Sequence, residues 1–209
     1  MFDFKAIENA LVGLDKQKLL ERVKDGLSKD IPAVEMLNKG LVAGMDIVGG
    51  KMQQGEMFIP EVLKAAKIMA AAVEILKPHL AEKDIAGSGT IVMGTVKGDL
   101  HDIGKNLVAM MLESAGFKVF DLGVDVLPER FVAEIRERKA DLLGVSALLT
   151  TTTSMMKQII SAVTDSGLRD QIKIMVGGAP ITQVFADEVG ADGYAPDAGS
   201  AVRLAKSLV

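Results

Sequence analysis

Cysteine is absent from this 209-residue chain, which excludes disulfides, thiolate metal sites and a cysteine nucleophile and leaves nitrogen or oxygen to hold any metal. A surplus of positive charge is missing too: 24 Lys and Arg stand against 28 Asp and Glu, for a formal net charge of -4. Basic clusters and acidic tails are lacking. Phosphate-backbone binding needs a basic footprint, so nucleic acid is not an expected partner. No apolar run approaches the roughly 18 residues that a spanning helix requires. Charge interrupts the first residues, Met1-Phe2-Asp3-Phe4-Lys5, so no apolar leader is read there. These absences predict a cytoplasmic chain with no membrane partner.

What the chain does have is enough apolar residue, 49%, for two units that each bury a core. Residues 1 to about 77 carry helical periodicity and almost no strand signal. Leu11, Leu14, Leu19, Leu20, Val23 and Leu27 mark two short helices, broken near Gly13-Leu14-Asp15, with Asp15 placed to cap the second. Pro32 opens a longer helix through Met36, Leu37, Leu41, Met45 and Val48, ending at Gly49-Gly50 or shortly beyond. Pro60 marks a last one, through Val62, Ala66, Met69, Val73 and Leu76, that ends before Pro78.

After a polar, glycine-containing stretch the pattern changes. Short apolar runs at 90–96, 118–122, 141–146, 172–176 and 192–195 alternate with helical stretches at roughly 103–115, 128–139, 152–166, 181–189 and 198–208. The expected organisation is therefore a helical bundle over 1–80, a linker over 81–89 and an α/β domain over 90–209. A β-α repeat of this size predicts a flavodoxin-like, doubly wound, parallel five-stranded sheet, with ligands beyond the C-terminal ends of its strands.

The first such end reads Gly94-Thr-Val-Lys-Gly-Asp-Leu-His-Asp-Ile-Gly104-Lys-Asn. Its glycines do not match the dinucleotide fingerprint, and Gly98 to Gly104 is one residue too long for a P-loop, with Asn106 where the hydroxyl should stand. What remains is Asp99-x-His101-x-x-Gly104, a carboxylate two residues before an imidazole on a ligand-facing loop. Imidazole ligates cobalt well, and a metal-bound histidine usually gives its other ring proton to a carboxylate. The competing reading is a capping aspartate beside a solvated histidine. Two further strand ends bear on it: Ser146-Ala-Leu148-Leu-Thr150-Thr-Thr152, with small hydroxyls toward the same crevice, and Gly177-Gly178. A helix cap and a tight turn remain open for these.

The run Gly98-Asp-Leu-His-Asp-Ile-Gly-Lys-Asn-Leu-Val resembles the cobalamin-binding domain of corrinoid methyltransferase proteins and of cobalamin-dependent methionine synthase. Gly55-Glu-Met-Phe-Ile-Pro-Glu61-Val, with the helix after it, resembles the same proteins' helical cap. The resemblance implies cobalamin bound with its base detached from cobalt and buried. His101 is then the lower axial ligand, Asp99 its hydrogen-bonded partner, and Thr152 a relay hydroxyl where methionine synthase has serine. Gly98, Asp102, Ile103 and Gly104 would join the cofactor-binding run, Ser146 and Leu148 would touch the nucleotide base, Thr150 would line the crevice, and Gly177 and Gly178 the tail pocket. Phe58 would lie near the upper cobalt face.

The implied function is a methyl carrier, not catalytic alone, whose cobalt cycles between Co(I) and methyl-Co(III). The implied partners are a substrate-specific methyltransferase, a second methyltransferase to tetrahydrofolate or a thiol coenzyme, and a reductive activase. An adenosylcobalamin mutase subunit would share the motif, though not the preceding bundle. A cobalamin sensor would need a DNA-reading module for which no segment remains. A phosphoacceptor would need an aspartate where Ser146 stands. His79, beside Pro78, is assigned no role.

Overall fold

The computed structural model describes residues 2–80 and 89–209, so most of the segment expected as a linker, 81–88, lies outside the described residues. The described residues divide into two compact units, the first made of the residues up to 80 together with Ser114–Gly116, the second of the remainder from 89 on.

The first unit is helical. Helix α1 (Phe4–Val12) is capped by Asp3 and α2 (Lys16–Ser28) by Asp15, whose carboxylate accepts the Lys18 N–H at 3.0 Å. Pro32 precedes α3 (Ala33–Met36), which passes through a π-helical turn (Leu37–Val42) into α4 (Ala43–Gln53) without a break. The expected single helix from Ala33 is thus one rod with a widened turn inside it. Gly40 and Gly44 sit in and after that turn, where a Cβ would lie 2.7 Å from Ile7 and 3.0 Å from Leu11, so α1 packs against bare backbone. Helix α5 (Ile59–Leu76) starts with Pro60 in its first turn, and the Glu61 carboxylate accepts the Phe58 N–H at 2.9 Å. Ile7, Leu11, Leu19, Met36, Leu41 and Leu76 are fully buried in this unit.

The second unit alternates strands and helices: β1 (Thr90–Thr95), α6 (Ile103–Ser114), β2 (Lys118–Asp121), α7 (Pro128–Arg138), β3 (Leu142–Ser146), α8 (Ser154–Asp165), β4 (Lys173–Gly177), α9 (Gln183–Val189), β5 (Gly193–Ala195) and α10 (Ala198–Leu208). All five strands pair in parallel, in the order β2-β1-β3-β4-β5. The expected doubly wound sheet is what forms. Near-continuous apolar strands follow from burial on both faces: on one, Val92, Leu143, Val145, Ile174 and Val176 pack with Phe131, Met156, Ile159 and Val163 of α7 and α8. The chain leaves β1 for β2 on one side and returns to β3 on the other, so the winding reverses between β1 and β3. At that reversal two loops diverge and open a crevice at the strands' C-terminal ends.

Candidate functional site

Strand register sets the site. Thr95, Ser146, Gly177 and Ala195 are partners in one row across β1, β3, β4 and β5, so the three segments singled out in the sequence leave the sheet side by side. After β1 the chain makes a turn in which the Asp99 N–H donates to the Val96 carbonyl at 3.2 Å. Gly98 is the third residue of that turn, with φ +80, the value a type II turn demands there and that residues with a Cβ avoid.

Asp99 is fully buried and surrounded by donors. Its Oδ2 accepts the N–H groups of Leu148 at 2.7 Å and Leu149 at 3.1 Å, and the Thr152 hydroxyl lies 2.9 Å away. Its Oδ1 accepts the His101 N–H at 3.1 Å and lies 2.7 Å from His101 Nδ1. Burial alone would push this carboxyl up. The Leu148 N–H, the His101 ring, and the His101 and Leu149 N–H groups outweigh it and hold Asp99 well below the usual carboxylate range. An ionised carboxylate only accepts, so Nδ1 carries a proton, and the neutral tautomer that fits this bond has its lone pair on Nε2. The His101 side chain is 50% exposed. The loop therefore presents one oriented imidazole nitrogen at the mouth of the crevice.

Other side chains steady the loop. Thr95 is buried and its hydroxyl donates to the His101 carbonyl at 2.9 Å. Residues 122–127, after β2, run along the β1 exit: Thr95 donates to Gly123 O at 2.9 Å, Val126 to Thr95 O at 3.0 Å, and Asp125 to Asp99 O at 3.0 Å. The Asp125 carboxylate accepts the Gly98 N–H at 2.7 Å. Behind the loop, the buried Lys105 forms an ion pair with Asp121 and donates to Asn106 Oδ1 at 2.8 Å, while Asn106 Nδ2 donates to Asp102 at 3.0 Å. Thr95 and Asp125 were not singled out from the sequence, although Asp125 follows a strand end and stands two residues after Gly123, a signal akin to the one that flagged the other loops.

Comparison with known proteins decides what this geometry belongs to. Family models described as B12 binding domains match residues 4–77 and 89–203. A corrinoid protein of Desulfitobacterium hafniense (strain Y51) is 42% identical over 97% of this chain and 95% of its own length. The chain belongs to the B12-binding corrinoid protein family. Dimethylamine corrinoid protein 3 of Methanosarcina acetivorans is 44% identical, again over 97% of this chain and 95% of its own. Among solved structures, a cobalamin-binding protein from Desulfitobacterium hafniense DCB-2 superposes over 100% of both chains with a TM-score of 0.88 and 34% identity. The methanol:cobalamin methyltransferase complex of Methanosarcina barkeri matches with a TM-score of 0.85 and 27% identity, over 98% of this chain and 78% of that one. These neighbours share both the helical unit and the Rossmann-like sheet unit of this corrinoid protein.

The residues at the crevice fit such a cofactor. Among the described residues no group of three or more His, Asp or Glu converges as a metal cage. One imidazole suits a metal whose other positions a macrocycle already fills. Around His101 the loops leave Leu100, Ile103, Leu148 and Leu149 exposed, Ile103 by 82%, an apolar rim of the kind that accepts a large flat ligand. Thr150 is exposed, Ser146 half-buried, and at Gly104 a Cβ would meet open space. Thr152 is not an ordinary helix cap, because its hydroxyl is shared between Asp99 and Leu149 O, at 2.8 Å from the latter.

The glycine pair meets neighbours of its own. A Cβ on Gly178, at φ +130, would lie 1.8 Å from the Ala147 carbonyl oxygen, and one on Gly177 would lie 3.0 Å from that of Ala195. Both glycines thus leave room for their own chain, whatever else they line, and Gly177→Val would press on the Ala195 carbonyl. Phe58 belongs to the helical unit, where it precedes α5 and is 67% exposed. No described helix is long and apolar enough to cross a membrane.

Proposed function

We propose that this corrinoid protein is a methyl carrier whose cofactor is held by His101 through Nε2, with the cofactor's own base displaced. The observation that carries the reading is the Asp99 carboxylate, which spends Oδ1 on His101 and Oδ2 on the β3 loop and so fixes both the tautomer and the direction of the ring. When bound, the corrinoid supplies a cobalt that alternates between nucleophilic Co(I) and methylated Co(III).

The chain's own work is binding, orienting and proton placement. His101 keeps one proton at Nδ1 and offers the opposite nitrogen. Asp99 remains the acceptor of that proton, and Thr152 completes its hydrogen bonding on the side away from the ring. Leu100, Ile103, Leu148 and Leu149 keep water from the ligated face, while Ser146, Gly177 and Gly178 line the way to the tail pocket. The chemistry on donor and acceptor falls to partners: one methyltransferase that loads the carrier, a second that unloads it to tetrahydrofolate or a thiol coenzyme, and a reductive activase. The dimethylamine and methanol systems of its relatives indicate the class of donor.

Reconstitution of the full chain with hydroxocobalamin, followed by reduction to Co(II), tests this. An equimolar complex with axial nitrogen coupling in its electron paramagnetic resonance spectrum is expected, and His101→Ala should abolish the coupling. The same spectrum from wild type and His101→Ala would remove His101 from the cobalt.

A further inference from the structure

We propose that Asp125, which precedes Val126 in the loop after β2, is a positioning residue for the cobalt ligand: it clasps the turn that carries Asp99 and thereby aims the Asp99 carboxylate at His101. This deepens, and rests on, the reading of His101 as the ligand. The clasp is reciprocal. The Asp125 carboxylate accepts the Gly98 N–H at 2.7 Å, and the Asp125 N–H donates to Asp99 O at 3.0 Å. One residue thus holds the peptide before Gly98 and the peptide after Asp99.

The first of these bonds has a specific effect. Val96 to Asp99 form a turn closed by the Asp99 N–H, with Gly98 third at φ +80. Types I and II of such a turn differ mainly by a flip of the central peptide, here the one joining Lys97 to Gly98, since the flanking ψ and φ change together by well over 100°. Glycine tolerates both forms. The central N–H is that of Gly98, and a carboxylate facing it admits only the orientation that presents this N–H. The flipped form would set the Lys97 carbonyl against the anion. The second bond fixes the far side of Asp99, the residue on which the orientation of His101 depends. Asp125 itself adopts a left-handed conformation, φ +54, which Asp and Asn accept better than most residues and which lets its side chain and its own N–H face the same turn.

Three full-length variants separate the contributions. Asp125→Gly keeps the left-handed backbone and loses the acceptor, Asp125→Asn keeps both, and Gly98→Ala opposes the φ +80 turn from the other side. In cobalamin-free, nitrogen-15-labelled protein, hydrogen exchange at the Gly98 amide should quicken about ten-fold or more in Asp125→Gly, the worth of one bond to a charged acceptor, and stay much closer to wild type in Asp125→Asn. After loading with hydroxocobalamin and reduction to Co(II), the fraction showing axial nitrogen coupling should fall in Asp125→Gly and Gly98→Ala and be restored in Asp125→Asn. Wild-type coupling that persists in His101→Ala would defeat the ligand reading, while the amide measurement would still report on the clasp. If wild type shows histidine coupling and Asp125→Gly keeps it in full, the proposal is overturned, whether or not the Gly98 amide has been released.

Discussion

Replacing Asp99 by Asn exchanges one oxygen for an NH2 group at constant volume. Its Oδ2 side faces the N–H groups of Leu148 and Leu149, and its Oδ1 side faces the N–H and ring nitrogen of His101. Whichever way the amide is turned, its NH2 meets a backbone donor. Turned toward His101 it keeps an oxygen for the β3 loop, but it strands the His101 N–H and requires Nδ1 to become an acceptor. The ring then carries its proton on Nε2 and has no lone pair for cobalt. Stranding one donor costs about 1–3 kcal/mol, and the three bonds from Leu148, Leu149 and Thr152, now to a neutral oxygen, lose about 1 kcal/mol together. The cobalamin-free sheet unit should therefore be less stable by about 2–4 kcal/mol, which at this size lowers its Tm by roughly 8–15 °C. Calorimetry and urea unfolding of cobalamin-free protein measure that loss. Resonance of the Co(II)-loaded variant should show no axial nitrogen coupling even though His101 is still present. A Tm within about 2 °C of wild type, with coupling intact, would refute the reasoning.

Gly178→Ala should destabilise the sheet unit by about 3 kcal/mol or more, because a Cβ 1.8 Å from Ala147 O at φ +130 combines a clash with backbone strain; unchanged urea unfolding would contradict it. Glu113 is pushed up by burial and by the nearby Asp121 carboxylate. A raised carboxyl costs stability above its folded pKa, and the cost vanishes below the unfolded value of about 4.3. Glu113→Gln should accordingly raise Tm slightly at pH 7 and not at pH 4, and an equal gain at both would show that charge is not the cause. Phe58→Ala, at a ring 67% exposed, should leave the Tm nearly unchanged. If the ring shields the cofactor, the Co(I) form of this variant oxidises faster in air, and oxidation at the wild-type rate would deny it that role.

Much of this was legible before any coordinates. Runs such as Ile91-Val92-Met93 and Ile174-Met175-Val176 announce buried parallel strands because both faces demand apolar residues. The spacing of Asp99 and His101 displays the central pair of the site, since a carboxylate and an imidazole two residues apart on a turn can meet without help from the rest of the fold. The π-helical turn at Leu37–Val42 was hidden: one widened turn shifts the phase of the apolar stripe by less than the tolerance with which a stripe is read. Thr95 and Asp125 were hidden for a different reason. Their value comes from the β1–β2 pairing and the alignment of residues 122–127 with the β1 exit, which local composition does not encode. The glycine pair was legible as glycine, but its demand for space within the fold was not, because the atom each excludes belongs to a strand or loop distant in sequence.

The carboxylate of Asp99 reaches 49 to 53 residues along the chain to find Leu148, Leu149 and Thr152. Closing a loop of that length comes late in assembly, after the local helices and turns have formed. During synthesis, a chain released as far as α7 already carries His101 and Asp99, yet their ring and carboxylate lack the second anchor that sets their direction. Only when β3 has emerged and docked beside β1 does the loop of residues 147–153 arrive. Competence to take up the cofactor is therefore a late event in biogenesis, and loading reports that the centre of the sheet has closed. Pulse-loading of stalled nascent chains would show uptake beginning only once Thr152 has cleared the ribosome.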